Sequence, residues 1–231
     1  MGDKGTLSAK GNLYVVATPI GNLQDITLRA IETLQSVDVI VCEDTRVTST
    51  LLKKFDIKKP MIAVNEFNEE QIVYQIIQRL ESGNVALVSD AGTPLISDPG
   101  FRLVNTARKK GFSVIPIPGA SALIAALSAS GLPTDKFVFL GFLSKSEAKA
   151  EKSLITVKEL GATVLLYESP HRIVQTLEVV KKVYGDIEVT VARELTKVYE
   201  EIFSNKISEL MTNFVAKPPK GEFVLLFSTK P

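Results

Sequence analysis

The sequence lacks tryptophan and has only one cysteine and one histidine in 231 residues, and each scarcity removes a class of protein. Cys42 alone permits no internal disulfide framework and supplies too few thiols for a cysteine-based zinc site, which suits a reducing, cytoplasmic address. A lone His171 removes histidine-rich metal centres, so no metal is expected. A Ser-His-Asp mechanism would have to use His171, yet the nucleophile elbow GxSxG is missing, and the residue reads as a partly exposed group at a helix start. The dinucleotide fingerprint GxGxxG and the phosphate loop GxxxxGK are absent too, which argues against NAD binding and nucleotide hydrolysis. No apolar run approaches the roughly 18 residues of a membrane span, and residues 1–12 are too polar for a signal peptide. A net charge of +1 neither requires nor excludes a nucleic-acid partner.

What is present is 45% hydrophobic residues, enough to bury one large core or two modest ones. Short apolar runs alternate with helical patterns, the mark of an α/β architecture. The chain is organised around residues 87–100, LVSDAGTPLISDPG. Four apolar residues, 85–88, predict a buried strand that empties into a loop of small and turn-forming residues. Asp98 and Pro99 read as the cap and first residue of a helix that Gly111 closes. Such a loop at a strand's carboxyl end is where open α/β sheets bind ligands.

Residues 13–17 predict a first strand running into the loop 18–22, after which Asp25 caps a helix carrying Leu28, Ile31 and Leu34. A second buried strand, 37–41, ends in Cys42, Glu43, Asp44, Thr45 and Arg46. The plain structural account of these charges is an ion pair from Arg46 to one carboxylate and a helix cap by the other, and functional use requires this loop to face the same crevice as Asp90. A helix with Ile72, Val73, Ile76, Ile77 and Leu80 on one face precedes the organising strand, and a strand at 113–117 leads into the small-residue helix of PGASALIAALSASG. Residues 131–134 are the expected linker between domains spanning 1–130 and 135–231. Beyond them, strands at 137–142, 163–167, 188–192, 199–203 and 222–227 alternate less regularly with helices, which predicts a mixed sheet with antiparallel pairs. Ser169 and Pro170 read as cap and first residue of a helix closed by Gly185.

Seven ordered motifs carry a resemblance: VATPIGNLQDITLRA from Val16, EDTR from Glu43, SDAGTPLISDPG from Ser89, PGASAL from Pro118, SASGLP from Ser128, YESPHR from Tyr167 and RELTK from Arg193. Together they resemble the bacterial small-subunit ribosomal RNA ribose methyltransferases of the tetrapyrrole-methylase superfamily, the class III S-adenosylmethionine-dependent methyltransferases. The resemblance spans residues 13–227. It implies two α/β domains, a homodimer, S-adenosylmethionine folded into a cleft between domains, and methylation of a cytidine ribose 2′-hydroxyl in the decoding region, on free RNA or the assembled small subunit.

Carried over by motif, the cofactor positions are Asp90, Ala91, Gly92 and Leu95, then Ser121 and Ala122, with Tyr167, Ala192 and Phe223 from the second domain. Arg46, Glu168, His171, Arg172, Arg193 and Glu194 fall on the substrate side. A ribose hydroxyl is a weak nucleophile, so a base is needed, and Glu43, Asp44 and Lys197, the last with a lowered pKa, are the candidates; the arginines would hold phosphates, and inter-domain salt bridges are the competing account of all these charges. Three departures from relatives stand out. NEFNE from Asn65 lacks their histidine, GFLSKSEAKAEK from Gly141 lacks their proline and regular arginine, and the chain ends just after the last strand where many relatives continue into a helical extension, so RNA affinity is expected to rest on fewer contacts. A small-molecule methyltransferase of the same superfamily and a non-catalytic RNA-docking module are the alternatives.

Overall fold

A computed structural model describes residues 10–64 and 68–230, so Asn65, at the head of the NEFNE departure, lies outside the described residues. The chain divides into two compact units between Ser121 and Ala122.

In the first unit the strands are β1 (Asn12–Val16), β2 (Val39–Cys42), β3 (Met61–Ala63), β4 (Val85–Leu87) and β5 (Ser113–Ile117), in the order β3-β2-β4-β1-β5 with every pair parallel. The helices are α1 (Leu28–Ser36), α2 (Thr45–Lys54), α3 (Glu69–Leu80) and α4 (Phe101–Lys109). Side chains alternate across the sheet, so Val39 and Val41 join Ile76, Leu80 and Leu103 on one face. Ile40 and Cys42 join Ala30, Leu34 and Leu52 on the other. A sheet covered on both faces needs continuous apolar strands, and β2 and β4 are buried throughout.

The second unit begins with α5 (Ala122–Ala129), which packs on the sheet it precedes, so the expected linker at 131–134 follows that helix inside this unit. Its strands are β6 (Phe137–Phe142), β7 (Thr163–Glu168), β8 (Glu188–Arg193), β9 (Glu201–Lys206) and β10 (Phe223–Ser228), in the order β6-β7-β10-β8-β9. Only β6 and β7 run parallel, as expected for a mixed sheet. Helices α6 (Glu147–Lys158), α7 (Ile173–Tyr184) and α8 (Ile207–Ala216) cover one face through Leu154, Leu177 and Leu210.

Three helix starts differ from the sequence reading. The cap of α1 is Thr27, because Asp25 ends a separate 3-10 turn capped by Asn22. Helix α4 starts after Gly100, whose φ of 121° is open to glycine alone, so Asp98 and Pro99 belong to the loop. Helix α7 starts after Arg172, since Ser169 and Pro170 lie in a turn whose Ser169 carbonyl accepts from the Arg172 and Ile173 N–H groups at 3.1 Å. In each case a short polar residue followed by isoleucine or proline serves a turn rather than the helix.

Gly11 is the tightest approach in the first unit: its N–H donates to Leu80 O at 2.8 Å, and a Cβ there would sit 1.7 Å from the Gly83 carbonyl oxygen. Gly11→Ala is expected to cost about 1–3 kcal/mol, or more if β1 and the end of α3 must separate, read as a lowered urea midpoint. An unchanged midpoint would refute this packing.

Candidate active site

Four loops at the carboxyl ends of β4, β1, β2 and β5 are joined to one another. Thr18 and Gly92 exchange backbone hydrogen bonds of 2.8 and 3.0 Å, and the Thr18 hydroxyl donates to Ser89 O at 3.1 Å. The Thr93 hydroxyl donates to Ala120 O at 3.2 Å, which ties in the loop after β5. The Asp44 N–H donates to Asp90 Oδ1 at 3.0 Å, so the EDTR loop does face Asp90. Small residues permit this closeness: a Cβ on Gly92, whose φ is 83°, would meet Ile20 Cγ2 at 3.3 Å. Leu95 and Ser97 hold φ of 73° and 68°, a left-handed backbone that is uncommon outside glycine and characteristic of functional loops.

The charges sort themselves by surroundings. Asp44 performs both structural duties foreseen for the EDTR loop: it caps α2 through the Arg46 N–H at 2.8 Å and pairs with the Arg46 guanidinium. Those bonds hold its pKa down to about 2, so it is a poor proton acceptor at neutral pH. Glu43 is left without such a partner, and burial, then the charges of Asp90, Asp98 and Asp44, push its pKa up. Burial likewise raises Asp90, despite the Asp44 N–H, and raises Asp98, despite a hydrogen bond with Ser89.

In the second unit the register places Tyr167, Val224 and Ala192 side by side across β7, β10 and β8. Tyr167 is held edge-on by Phe139 and Phe142, with centroids 4.8 and 5.8 Å away. Phe223 sits in the neighbouring row, facing the helices, and is 1% exposed in their core, on a strand paired to both β7 and β8. Glu168 is 2% exposed and accepts from Thr176 and the Ser169 N–H, a structural duty. Arg172 donates to Leu143 O at 2.8 Å, and His171 is exposed beside it. Arg193 pairs with Glu201 at 2.9 Å while its Nε is buried without a hydrogen-bond partner. Lys197 bridges Glu194 at 2.8 Å and Glu222 at 2.9 Å. Burial alone would lower its pKa, but those two carboxylates outweigh burial and raise it, so the lowered pKa that a lysine base requires is not found.

Residues 12–211 match the profile of the Tetrapyrrole (Corrin/Porphyrin) Methylases. The chain is 49% identical to a Haemophilus influenzae protein named Ribosomal RNA small subunit methyltransferase I, over 96% of this chain and 80% of that one. It is 44% identical to a Thermotoga maritima protein of the same name, over 95% and 99%. The chain belongs to the tetrapyrrole methylase family. Solved structures agree on the fold: cobalt precorrin-4 methyltransferase matches at a TM-score of 0.70 and 19% identity over 95% of this chain and 96% of that one. Diphthine synthase matches at 0.72 and 18%, over 94% and 90%.

A tetrapyrrole methylase is a methyltransferase with S-adenosylmethionine as donor, and the residues present fit that group. Exposed Ala91 and buried Gly92 bare the backbone between β4 and α4, and Leu95 and Ser97 turn it through left-handed conformations. Other residues of this region escaped the sequence reading. Pro19, Leu23, Val47, Thr48, Thr50 and Leu51 line a hollow with Asp90, and Asp98 sits within the field of Asp90 and Glu43. The spacing of Val47 and Leu51, one turn apart on α2, was the available signal.

The raised and lowered carboxylates predict opposite pH effects. Asp98 binds its proton more tightly in the native chain, so the cost of ionising it is absent below its ordinary pKa of 3.8 and fully present above the raised value. Asp98→Asn should therefore stabilise the chain at about pH 7 and not at about pH 3. Asp44 does the reverse: its stabilisation is complete well above 3.8 and lost as pH falls through about 2, so Asp44→Asn should destabilise most at about pH 7 and less at about pH 3. Urea midpoints of both variants at the two pH values are the measurement, and equal shifts at both would contradict these environments.

Proposed function

We propose that this methyltransferase modifies the ribose 2′-hydroxyl of a cytidine in the decoding region of small-subunit ribosomal RNA, acting as a homodimer. The observation that carries the reading is the Asp44–Asp90 hydrogen bond, which sets the acidic EDTR loop against the cofactor loop in a chain 44–49% identical to relatives named for this RNA.

S-adenosylmethionine, when bound, supplies a methyl carbon activated by its sulfonium. The backbone of Ala91, Gly92 and Leu95, with Ser121, is proposed to hold it in the first unit, and Tyr167, Ala192 and Ala122 in the second. Glu43 takes the 2′-hydroxyl proton: of the three candidate bases it alone combines a carboxylate with a raised pKa and freedom from an ion pair. Asp44 orients Arg46, whose side chain is 89% exposed and suited to a phosphate. Arg172, Arg193 and His171 offer further cationic or donor contacts to RNA. Glu168 and Glu194 support their loops, and Lys197, locked between Glu194 and Glu222, positions the RELTK turn instead of moving a proton.

Glu43→Gln is expected to slow methyl transfer to undermethylated small subunits by about 100- to 10,000-fold while leaving S-adenosylmethionine affinity unchanged. The parent rate should rise with pH through the raised Glu43 pKa, and the variant should lose that limb. Tritiated-methyl transfer, followed by digestion to nucleosides and mass spectrometry, reads both rate and product. A variant within about tenfold of the parent, roughly 1.4 kcal/mol in barrier, removes Glu43 as the base.

A further inference from the structure

The hollow beside Asp90 has a volume of 260 Å³ and is lined by Thr18, Pro19, Leu23, Val47, Thr50 and Leu51, among others. It opens at the carboxyl ends of β1 and β4 and against the first turns of α2. Cavities that enclose drug-sized ligands run to about 300–1,000 Å³, so this one suits a single ring better than a whole nucleoside-amino-acid donor. Its walls are largely apolar, and most of its polar atoms are already engaged. The Thr18 hydroxyl donates to Ser89 O, and the Thr50 hydroxyl donates to Arg46 O at 3.2 Å. Two groups are exceptions: the buried Thr48 hydroxyl has no hydrogen-bond partner, and Asp90 accepts from the Asp44 N–H through Oδ1 while no described residue donates to Oδ2.

We propose that this hollow seats the cytosine base of the methyl acceptor, with Asp90 Oδ2 accepting from its exocyclic amine. The assignment rests on the cytidine reading above and names the feature that selects the base. Proteins read RNA sequence by taking unstacked bases into such pockets and bonding their Watson–Crick edges. A carboxylate accepts from the N4 amine of cytosine, whereas uracil presents an oxygen there and is repelled. The neighbouring groups agree in placement. Glu43 precedes the Asp44 whose N–H bonds Asp90 and lies within the charge field of Asp90, and exposed Arg46 lies in the first turn of the helix that forms one wall.

The test fills the hollow from the exposed side of α2. Val47 is 44% exposed and Thr50 is also exposed, so Val47→Trp and Thr50→Phe are two independent plugs that leave the core intact. Calorimetry with S-adenosylmethionine alone should give affinities within about twofold of the parent, which also shows that the variants fold, while transfer to undermethylated small subunits should fall by at least about 100-fold. Asp90→Asn should narrow the preference for subunits with cytidine over uridine at the target position from about 10- to 100-fold to under about threefold, even where the absolute rate drops. Loss of S-adenosylmethionine binding by both plugs would give the hollow to the donor and overturn the proposal. So would normal transfer by both plugs, or an unchanged base preference in Asp90→Asn. A parent product other than 2′-O-methylcytidine would instead refute the cytidine reading, and nucleoside analysis of the parent shows that separately.

Discussion

Asp90 does two jobs in one position, and the first unit is arranged around them. Its carboxylate accepts the Asp44 N–H, while two residues on, the Gly92 backbone pairs with Thr18. These bonds are short and cross between strands distant in sequence, so the loops after β1, β2 and β4 hold one another in register. Buried backbone groups that lack a partner are costly, and here each loop supplies the partner of the next. The glycine at 92 is part of the same constraint, because a side chain there would press on Ile20.

The electrostatics follow from that geometry. Drawing Glu43, which is exposed, towards the half-buried Asp90 and Asp98 disfavours their ionised forms. Asp44 escapes because Arg46 and the α2 N-terminus neutralise it. One loop therefore contains a firmly ionised carboxylate next to a reluctant one, and environments that push two acids apart are how a site divides its proton work. The second unit uses charge differently. Lys197 joins Glu194 to Glu222 and braces a turn in which Glu194 and Thr196 hold φ of 51° and 66°. Gly221 is the counterpart of that brace, since a Cβ there would lie 2.5 Å from the Glu194 carboxyl.

Much of this was legible from residue order. Continuous apolar runs announced the two-faced parallel sheet, and the less regular second half announced a mixed one, because both patterns reflect which faces of a strand are covered. Helix starts were less legible: Asp25, Asp98 and Ser169 all have the composition of caps, yet each sits in a turn before the helix. A capping residue and an Asx or Ser turn use the same side-chain oxygen, so composition cannot separate them. Family motifs brought Phe223 forward as a cofactor contact, and the register turned its ring into the core.

The sequence by itself determined the class of the fold, the membership of the family and the loop where chemistry would gather. Those properties are written in local pattern, in periodicity and in strings of consecutive residues. Only the tertiary structure decided which carboxylate is spent and which is available, because that depends on Asp90 meeting the Asp44 N–H across 46 positions of chain. It also decided that Lys197 is a brace and that Val47 and Leu51 share a hollow with Asp90. A pKa, a hollow and an ion pair are properties of neighbours in space, and in this chain those neighbours come from separate strands.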